Sequence, residues 1–559
     1  MLYQLRVKIS AMKKFWIFKI LLLTLFAIPL IGQEPQGFFL DDFSPKSATI
    51  PPYENISPPK AKPTITVTVN FADTVARVSK YIYGNNANVY MTQMITQPDL
   101  MRYIKLLSPR VLRFPGGNLS NLFFWDAAPG ELPEGAPETL YGGVERRYLE
   151  EYWFGRNDSA KYLSVDNYYK MLEQTNNTGI ICVNYSYARY GTGIDPVATA
   201  AQYAADWVRY DNGRTRFWEI GNENFGAWQA GYKIDLKNDK DKQPEIITGE
   251  LYGQHFKVFA DSMRAAAKEI DADIKIGVGL LEAQQEWHSP TEKNWNSGFF
   301  KQAGNAANFF VIHSYFTPWQ QNSPVPVILN SAEIETPKMM NYMRQLSQEN
   351  GIAMKPIALT EWNIFAVGSK QQTSYINGIH AVLVLGELIK HKYGMACRWN
   401  LANNWANGDD HGMFSQGGEP GVPRWNPRPA FYYMYYFQKF FGDYMVTSSV
   451  TGDSDIVAYA SRFGSGEAGI VIINKSMKNQ TVQIKIADFK YGSRYYFYSL
   501  TGGDDNGDFS LRVFVNGQGT KLPAGGPENV EQIKAFSAPI KKGVVIDAPA
   551  YSVQYILVE

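Results

Sequence analysis

The chain has 559 residues, 45% hydrophobic and 19% charged, with a net charge of +1. That length supports one large domain and at least one smaller one, and the composition excludes the disordered and fibrous classes. Near-balanced charge gives no electrostatic basis for binding nucleic acid or an anionic membrane surface.

Within residues 1–32, Lys13 and Lys14 precede an apolar run from Ile20 to Ile31 that stops at Gly32-Gln33. A basic segment followed by about a dozen apolar residues is the pattern of a secretory signal peptide, too short for a stable membrane span. The expectation is a secreted or periplasmic protein with no membrane span in its mature form, starting from Met1 or Met12. No cysteine follows the run to carry a lipid anchor. Residues 33–63 are rich in Pro, Ser and Lys and read as an extended lead-in. "TITVTVNF" (64–71) alternates as a strand, placed where it can join a distal sheet.

From there to about 435, strand-like runs alternate with helix-period segments. The runs are "YIYGNN", "VLRFPGG", "IICVNYS", "RFWEIGNE", "KIGVGLL", "FFVIHSYF", "PIALTEW" and "MACRWNL". Eight strand–helix repeats predict an α/β fold, a (β/α)8 TIM barrel over residues 64–435. The alternative, a doubly wound open sheet, lacks a Gly-rich phosphate fingerprint after the first strand. After the last helix, "PAFYYMYYFQKFFGDYMV", the pattern changes to short alternating strands with Gly and Asn turns. Residues 436–559 therefore read as a β-sandwich accessory domain.

Cys182 and Cys397 lie in apolar stretches and read as buried thiols, with a disulfide as the alternative. Two cysteines and 6 histidines without close spacing give no zinc signature. "GGDDNGDFS" (502–510) lacks the closing glutamate of a calcium loop. Neither a metal nor an organic cofactor is expected. Aromatic residues make up 14% of the chain; a large core accounts for most, and the excess suits a protein facing the apolar faces of sugar rings.

In a (β/α)8 barrel the carboxyl ends of the strands face the active site. Here they deliver Arg113 and Asn118, Asn184 and Tyr185, Asn222 and Glu223, His313 and Tyr315, Glu361 and Trp362, and Trp399 and Asn400. Glu223 and Glu361 end strands four and seven, on opposite sides of one polar ring. Two such carboxyls, about 5–5.5 Å apart, are what a retaining glycosidic hydrolysis needs, one to protonate the leaving oxygen and one to attack the anomeric carbon. Desolvation and the second carboxylate are expected to raise the acid's pKa. Glu282 and Asp195 are the nearest competitors and fall further into loops. A purely structural reading would pair the two glutamates with Arg113 and Arg398. Trp125, Trp228, Trp319 and Trp405 fall on upper loops, as stacking platforms or ordinary packing.

These pieces together, "RFPGGN" (113–118), "GNENFGAWQAGYK" (221–233), "HSY" (313–315) and "TEWN" (360–363), resemble a clan A retaining glycoside hydrolase, closest to glycoside hydrolase family 51. The resemblance implies Glu223 as acid/base and Glu361 as nucleophile. It implies that Asn222 holds the sugar's 2-hydroxyl, that Tyr315 orients the nucleophile and that Asn118 binds substrate. His313, Trp228, Trp399 and Asn86 complete the expected substrate-binding set. One departure stands out. Arabinofuranosidases of the family carry a glutamate just after strand one, where it binds the terminal sugar, and this chain has Asn85, Asn86 and Asn88 instead.

The expected function is therefore hydrolysis of a polysaccharide or oligosaccharide by two glutamates. The asparagine cluster leans the reading toward an endo-β-glycanase whose cleft is open at both ends. The alternatives are an exo-acting α-L-arabinofuranosidase and, outside the enzymes, a carbohydrate-binding protein on a barrel scaffold.

Overall fold

The computed structural model describes residues 35–142, 145–148, 152–368, 370–405, 410–503, 507–540 and 543–559. The signal-peptide segment lies outside that range, as does part of the acidic turn at 502–510. Eight parallel strands close into a barrel in sequence order. They are Gly84–Asn86, Val111–Phe114, Thr178–Val183, Phe217–Ile220, Lys275–Gly279, Phe309–Tyr315, Ile357–Asn363 and Met395–Arg398, here called barrel strands one to eight. Their near-continuous burial is what a parallel sheet covered by helices requires. Each of the eight runs read from the sequence contributes one of these strands.

The helices around the barrel start where the sequence supplies caps. Asp195 accepts from the Ala198 amide ahead of Pro196–Asp211, and Thr248 accepts from Leu251 ahead of Gly249–Glu269. Ser289 and Glu292 form a reciprocal capping box at the start of Pro290–Ala303. Among the described residues no helix is long and apolar enough to cross a membrane.

The second unit is a largely antiparallel sheet with its own core of Ile65, Val67, Val446, Ile470, Ile472, Ile484 and Ile546. The early strand, Ile65–Arg77, lies inside this sheet. It runs antiparallel to Tyr444–Thr451 on one side and parallel to Gln480–Ala487 on the other. The seam between the units is aromatic. Helix Pro429–Phe440 donates Tyr436 to a ring cluster with Tyr498 and Tyr555, at centroid separations of 4.5 and 5.8 Å.

The lead-in departs from its extended reading. Gly37–Leu40 forms a 3-10 turn, and Tyr53–Asn55 pairs in parallel with Ala535–Ser537. Phe39 is fully buried in a cluster with Val111, Ile180, Phe217, Phe309, Ala358 and Met395, all from barrel strands. Most of these open or lie early in their strands, so Phe39 closes the barrel at the end opposite the carboxyl termini. The physical reason is that an eight-stranded barrel is filled by layers of side chains, and the outermost layer needs an apolar cover. Phe39→Ala should therefore destabilise the protein by about 3–5 kcal/mol, read as a lower urea midpoint with little change in slope.

Candidate active site

Strand two ends in Arg113, which is completely buried. Its guanidinium donates to Glu219 (2.8 Å), Glu361 (2.8 Å), Asn222 (2.9 Å) and Asn86 (3.1 Å). A buried guanidinium is tolerated only when its fork meets such acceptors. Burial works against its charge, but the Glu219 and Glu361 carboxylates hold Arg113 well above the ordinary arginine value. Glu219, inward-facing on strand four, did not stand out in the sequence. Its signal was a charged residue inside an otherwise apolar run, "FWEI".

Just beyond strand four the backbone leaves the sheet sharply. Gly221 has φ +76°, where a Cβ would lie 2.0 Å from Asn224 Oδ1, and Glu223 itself sits at φ +45°. That left-handed turn lets Asn222 face Arg113 while Glu223 faces His313. Asn121 fixes the turn, donating to the Asn222 carbonyl at 2.7 Å and to Gln229 at 2.8 Å. Among the described residues the Asn222 side-chain amide nitrogen is buried without a partner, on a residue that shares Arg113 with Glu361.

The rest of the "GNENFGAWQAG" stretch now has a physical reason. A Cβ on Gly226 would lie 2.5 Å from the Trp228 ring, so only glycine lets the indole fold back. Trp228 Nε1 then donates to Glu223 at 3.1 Å while half of the residue stays exposed. Gln229 donates to Glu223 at 3.3 Å and to the exposed Asn118 at 2.6 Å.

Tyr315 donates to Glu361 at 3.1 Å and stacks on Phe365 at 4.4 Å. His313 Nδ1 lies 2.7 Å from Glu223 and 3.9 Å from Glu361, and its Nε2 lies 3.2 Å from Thr360 Oγ1. Donor atoms of Glu223, His313 and Glu361 all fall within 4.8 Å of one another. These are ligand types for a divalent cation, but the direct 2.7 Å imidazole–carboxylate contact arranges the three for proton exchange. Trp399, half-buried, follows strand eight, its carbonyl held by Asn363 at 2.6 Å.

The electrostatics differ from expectation. Burial does push Glu223 upward, but the hydrogen bond and charge of His313, the Trp228 bond and the Arg113 charge carry it below the ordinary carboxylate value. For His313, burial opposes the charge, and the Glu361 and Glu223 carboxylates outweigh it to raise the imidazole. Both shifts favour the His313 side of the pair for the proton the two groups share. The expectation of a raised Glu223 considered the second carboxylate and overlooked the histidine between them.

Asn86 is a second correction. It is fully buried, accepts from Arg113 and donates to the carbonyls of Thr360, Cys397 and Arg398. It braces the floor and has no face for substrate. Asn85 and Asn88 are equally buried, Asn88 donating to the Pro115 carbonyl at 3.1 Å. Trp125, 7% exposed, stacks on Trp207 and is ordinary packing, whereas Trp319 is 65% exposed, edge-on to Phe365. Arg398 touches neither glutamate and donates to the His411 carbonyl. Cys182 and Cys397 are buried free thiols.

A family model described as "Alpha-L-arabinofuranosidase 1 domain" matches residues 103–321, from the helix before strand two to just past strand six. "Probable alpha-L-arabinofuranosidase C" of Aspergillus flavus is 24% identical over 387 residues, 64% of this chain and 69% of that protein. An "Intracellular exo-alpha-(1->5)-L-arabinofuranosidase" of Acetivibrio thermocellus is 23% identical, over 39% of this chain and 38% of its own length. Among solved structures, the family 51 α-L-arabinofuranosidase of Thermotoga petrophila superposes with TM-score 0.62 at 16% identity, covering 89% of this chain and all of that one. A bifunctional glucanase-xylanase from a metagenome library superposes with TM-score 0.57 at 12% identity, covering 89% and 99%. At such identities the structural likeness shows the fold.

The shared proton is open to direct measurement. In Glu223→Gln, His313 loses the nearer of its two carboxylates, so less negative charge favours the imidazolium and its titration midpoint must fall. The change should be about one unit or more, followed by nitrogen-15 NMR of the 6 histidines. An unchanged midpoint would mean that Glu223 does not hold the proton in place.

Proposed function

From the premise that the chain is a retaining glycoside hydrolase of clan A, close to family 51, we propose that it is an exo-acting α-L-arabinofuranosidase, exported from the cell. The observation that carries the choice is the burial of Asn85, Asn86 and Asn88, each 0% exposed. The endo-acting reading rests on those asparagines lining an open groove, and their burial withdraws that support. The match of residues 103–321 to an arabinofuranosidase domain supports the same reading, because that segment brings Arg113, Asn118, Asn222, Glu223 and His313.

In this mechanism a Glu361 oxygen attacks the anomeric carbon while the bond to the leaving oxygen breaks. The electron pair stays on the leaving oxygen, which takes a proton from Glu223. His313, 2.7 Å from Glu223, is placed to exchange that proton with it before and after the step. Arg113 and Tyr315 hold the Glu361 carboxylate at its two oxygens, 2.8 and 3.1 Å away, so one geometry is presented to the sugar. The unpartnered Asn222 amide donates to the hydroxyl next to the anomeric carbon. Water then attacks the glycosyl–Glu361 ester, giving a proton to Glu223 and restoring both groups, with the anomeric configuration retained.

Glu361→Ala should lose about 10⁴-fold or more in kcat while remaining folded. Glu223→Ala should retain activity on dinitrophenyl glycosides, whose leaving group needs no proton, with azide accelerating the second step. The reading itself is tested by products. An arabino-oligosaccharide series should release single arabinose units from chain ends, with the first-formed anomer retained when followed by proton NMR. Mid-chain fragments from β-glucan or xylan, with no arabinose released, would restore the endo-glycanase.

A further inference from the structure

A third carboxyl stands at the carboxyl end of the barrel, after the strand next to those of the acid/base pair. Glu282 lies three residues past strand five, the strand between those that carry Glu223 and His313. Its backbone is tightly placed. Leu280 donates to the Val311 carbonyl, and Leu281 is clamped by Asn296, which accepts from its amide at 3.0 Å and donates to its carbonyl at 2.9 Å. Leu280 and Leu281 are 1% and 5% exposed, so the loop root is anchored in the core. Downstream, Gln284 donates to the Lys293 carbonyl and Lys293 to that of Glu286, both at 2.7 Å.

On this fixed loop the Glu282 side chain is half-buried, and among the described residues no other side chain hydrogen-bonds or ion-pairs with it. Burial, together with the nearby Glu223 and Glu335 charges and against its own backbone amide and His313, raises its carboxyl to about 7. Tyr342, like Glu335 on helix Val325–Glu349, senses its charge from the other side. A half-buried carboxyl left unpartnered beside a second carboxylate is costly. Near neutral pH such a group both donates and accepts, which suits adjacent hydroxyls of a sugar.

Its place in the barrel selects which sugar. The sugar being transferred must lie over Glu361, among Arg113, Asn222 and Tyr315, which come from strands two, four, six and seven. The leaving sugar departs past Glu223. Glu282 follows strand five, which lies in the barrel between the strand that leads to Glu223 and the strand that carries His313. We propose that Glu282 is a substrate-binding residue for the leaving-group sugar, hydrogen-bonding its hydroxyls and setting which glycosidic partner is accepted. The inference rests on the glycosidase reading of the site and not on which sugar is transferred.

The test keeps the transferred sugar constant and varies the leaving group among a sugar, the same sugar lacking individual hydroxyls, and nitrophenol. In Glu282→Gln the ratio of kcat/KM for the sugar leaving group over nitrophenol should fall about tenfold or more, the scale of one or two lost hydrogen bonds to a charged or shared-proton group. Deoxygenation that weakens the parent should cost the variant little further at the hydroxyl Glu282 holds. Glu282→Ala should shift the ratio in the same direction, and activity on the nitrophenyl glycoside reports folding for both. A ratio unchanged in both variants, or deoxygenation costs equal in parent and variant, overturns the proposal and leaves Glu282 acting only through the charge of Glu223. If the parent ignores arabinofuranosides, the function proposed above fails separately, and the same leaving groups are mounted on the glycoside it does hydrolyse.

Discussion

The site is organised around one guanidinium. Arg113 is out of contact with water, and a lone cation in that position would cost several kcal/mol. Its four acceptors come from three strands: Asn86 on strand one, Glu219 and Asn222 on and just past strand four, and Glu361 on strand seven. Because a fork of donors has fixed angles, satisfying it fixes the relative positions of those strands' ends. Glu219 offsets charge that Glu361 alone would have to balance, which leaves Glu361 an oxygen for Tyr315 and a face for substrate. The barrel brings the strands together, and Arg113 sets the register of their polar tips.

Around that fixed point the second carboxylate is deliberately softer. Glu223 has no direct bond to Arg113; it is held by His313, Trp228 and Gln229, two of which lie within its own loop. A nucleophile benefits from a single position, whereas an acid/base must exchange a proton twice in each cycle. The contrast between a glutamate bound to a permanent cation and one bound to a titrating imidazole gives the two carboxyls different chemistry at a separation within 4.8 Å.

Much of this was legible in the sequence. The eight apolar runs all became barrel strands, since strand burial on both faces leaves an unmistakable composition. Glu223 and Glu361 were visible because a carboxylate at the end of an apolar strand has few structural uses. What could not be read was direction. Asn86 ends a barrel strand as the other candidate site residues do, yet its side chain turns down into the barrel, and nothing in "YGNNAN" distinguishes the two outcomes. Phe39 sits in a Pro- and Ser-rich stretch without periodicity, so its partners, spread over six strands, exist only once the barrel closes. Glu282 reads as a loop residue because the Asn296 clamp on its neighbour Leu281 comes from the following helix.

The strand Ile65–Arg77 ties the two ends of the chain together in a way that bears on how the molecule is made. It lies in the interior of the distal sheet, with Ile65 opposite Val482 and Tyr444 opposite Arg77. The whole barrel is therefore threaded between two neighbours in one sheet. During synthesis that first strand emerges early with an apolar face and has no partner until the barrel and the sheet's later strands have followed. Export in an unfolded state, or a chaperone holding that strand, would spare it a long wait as an open edge. The arrangement also makes the distal sheet a lock on the barrel: neither unit can be cut away without leaving the other with a missing strand or an exposed seam.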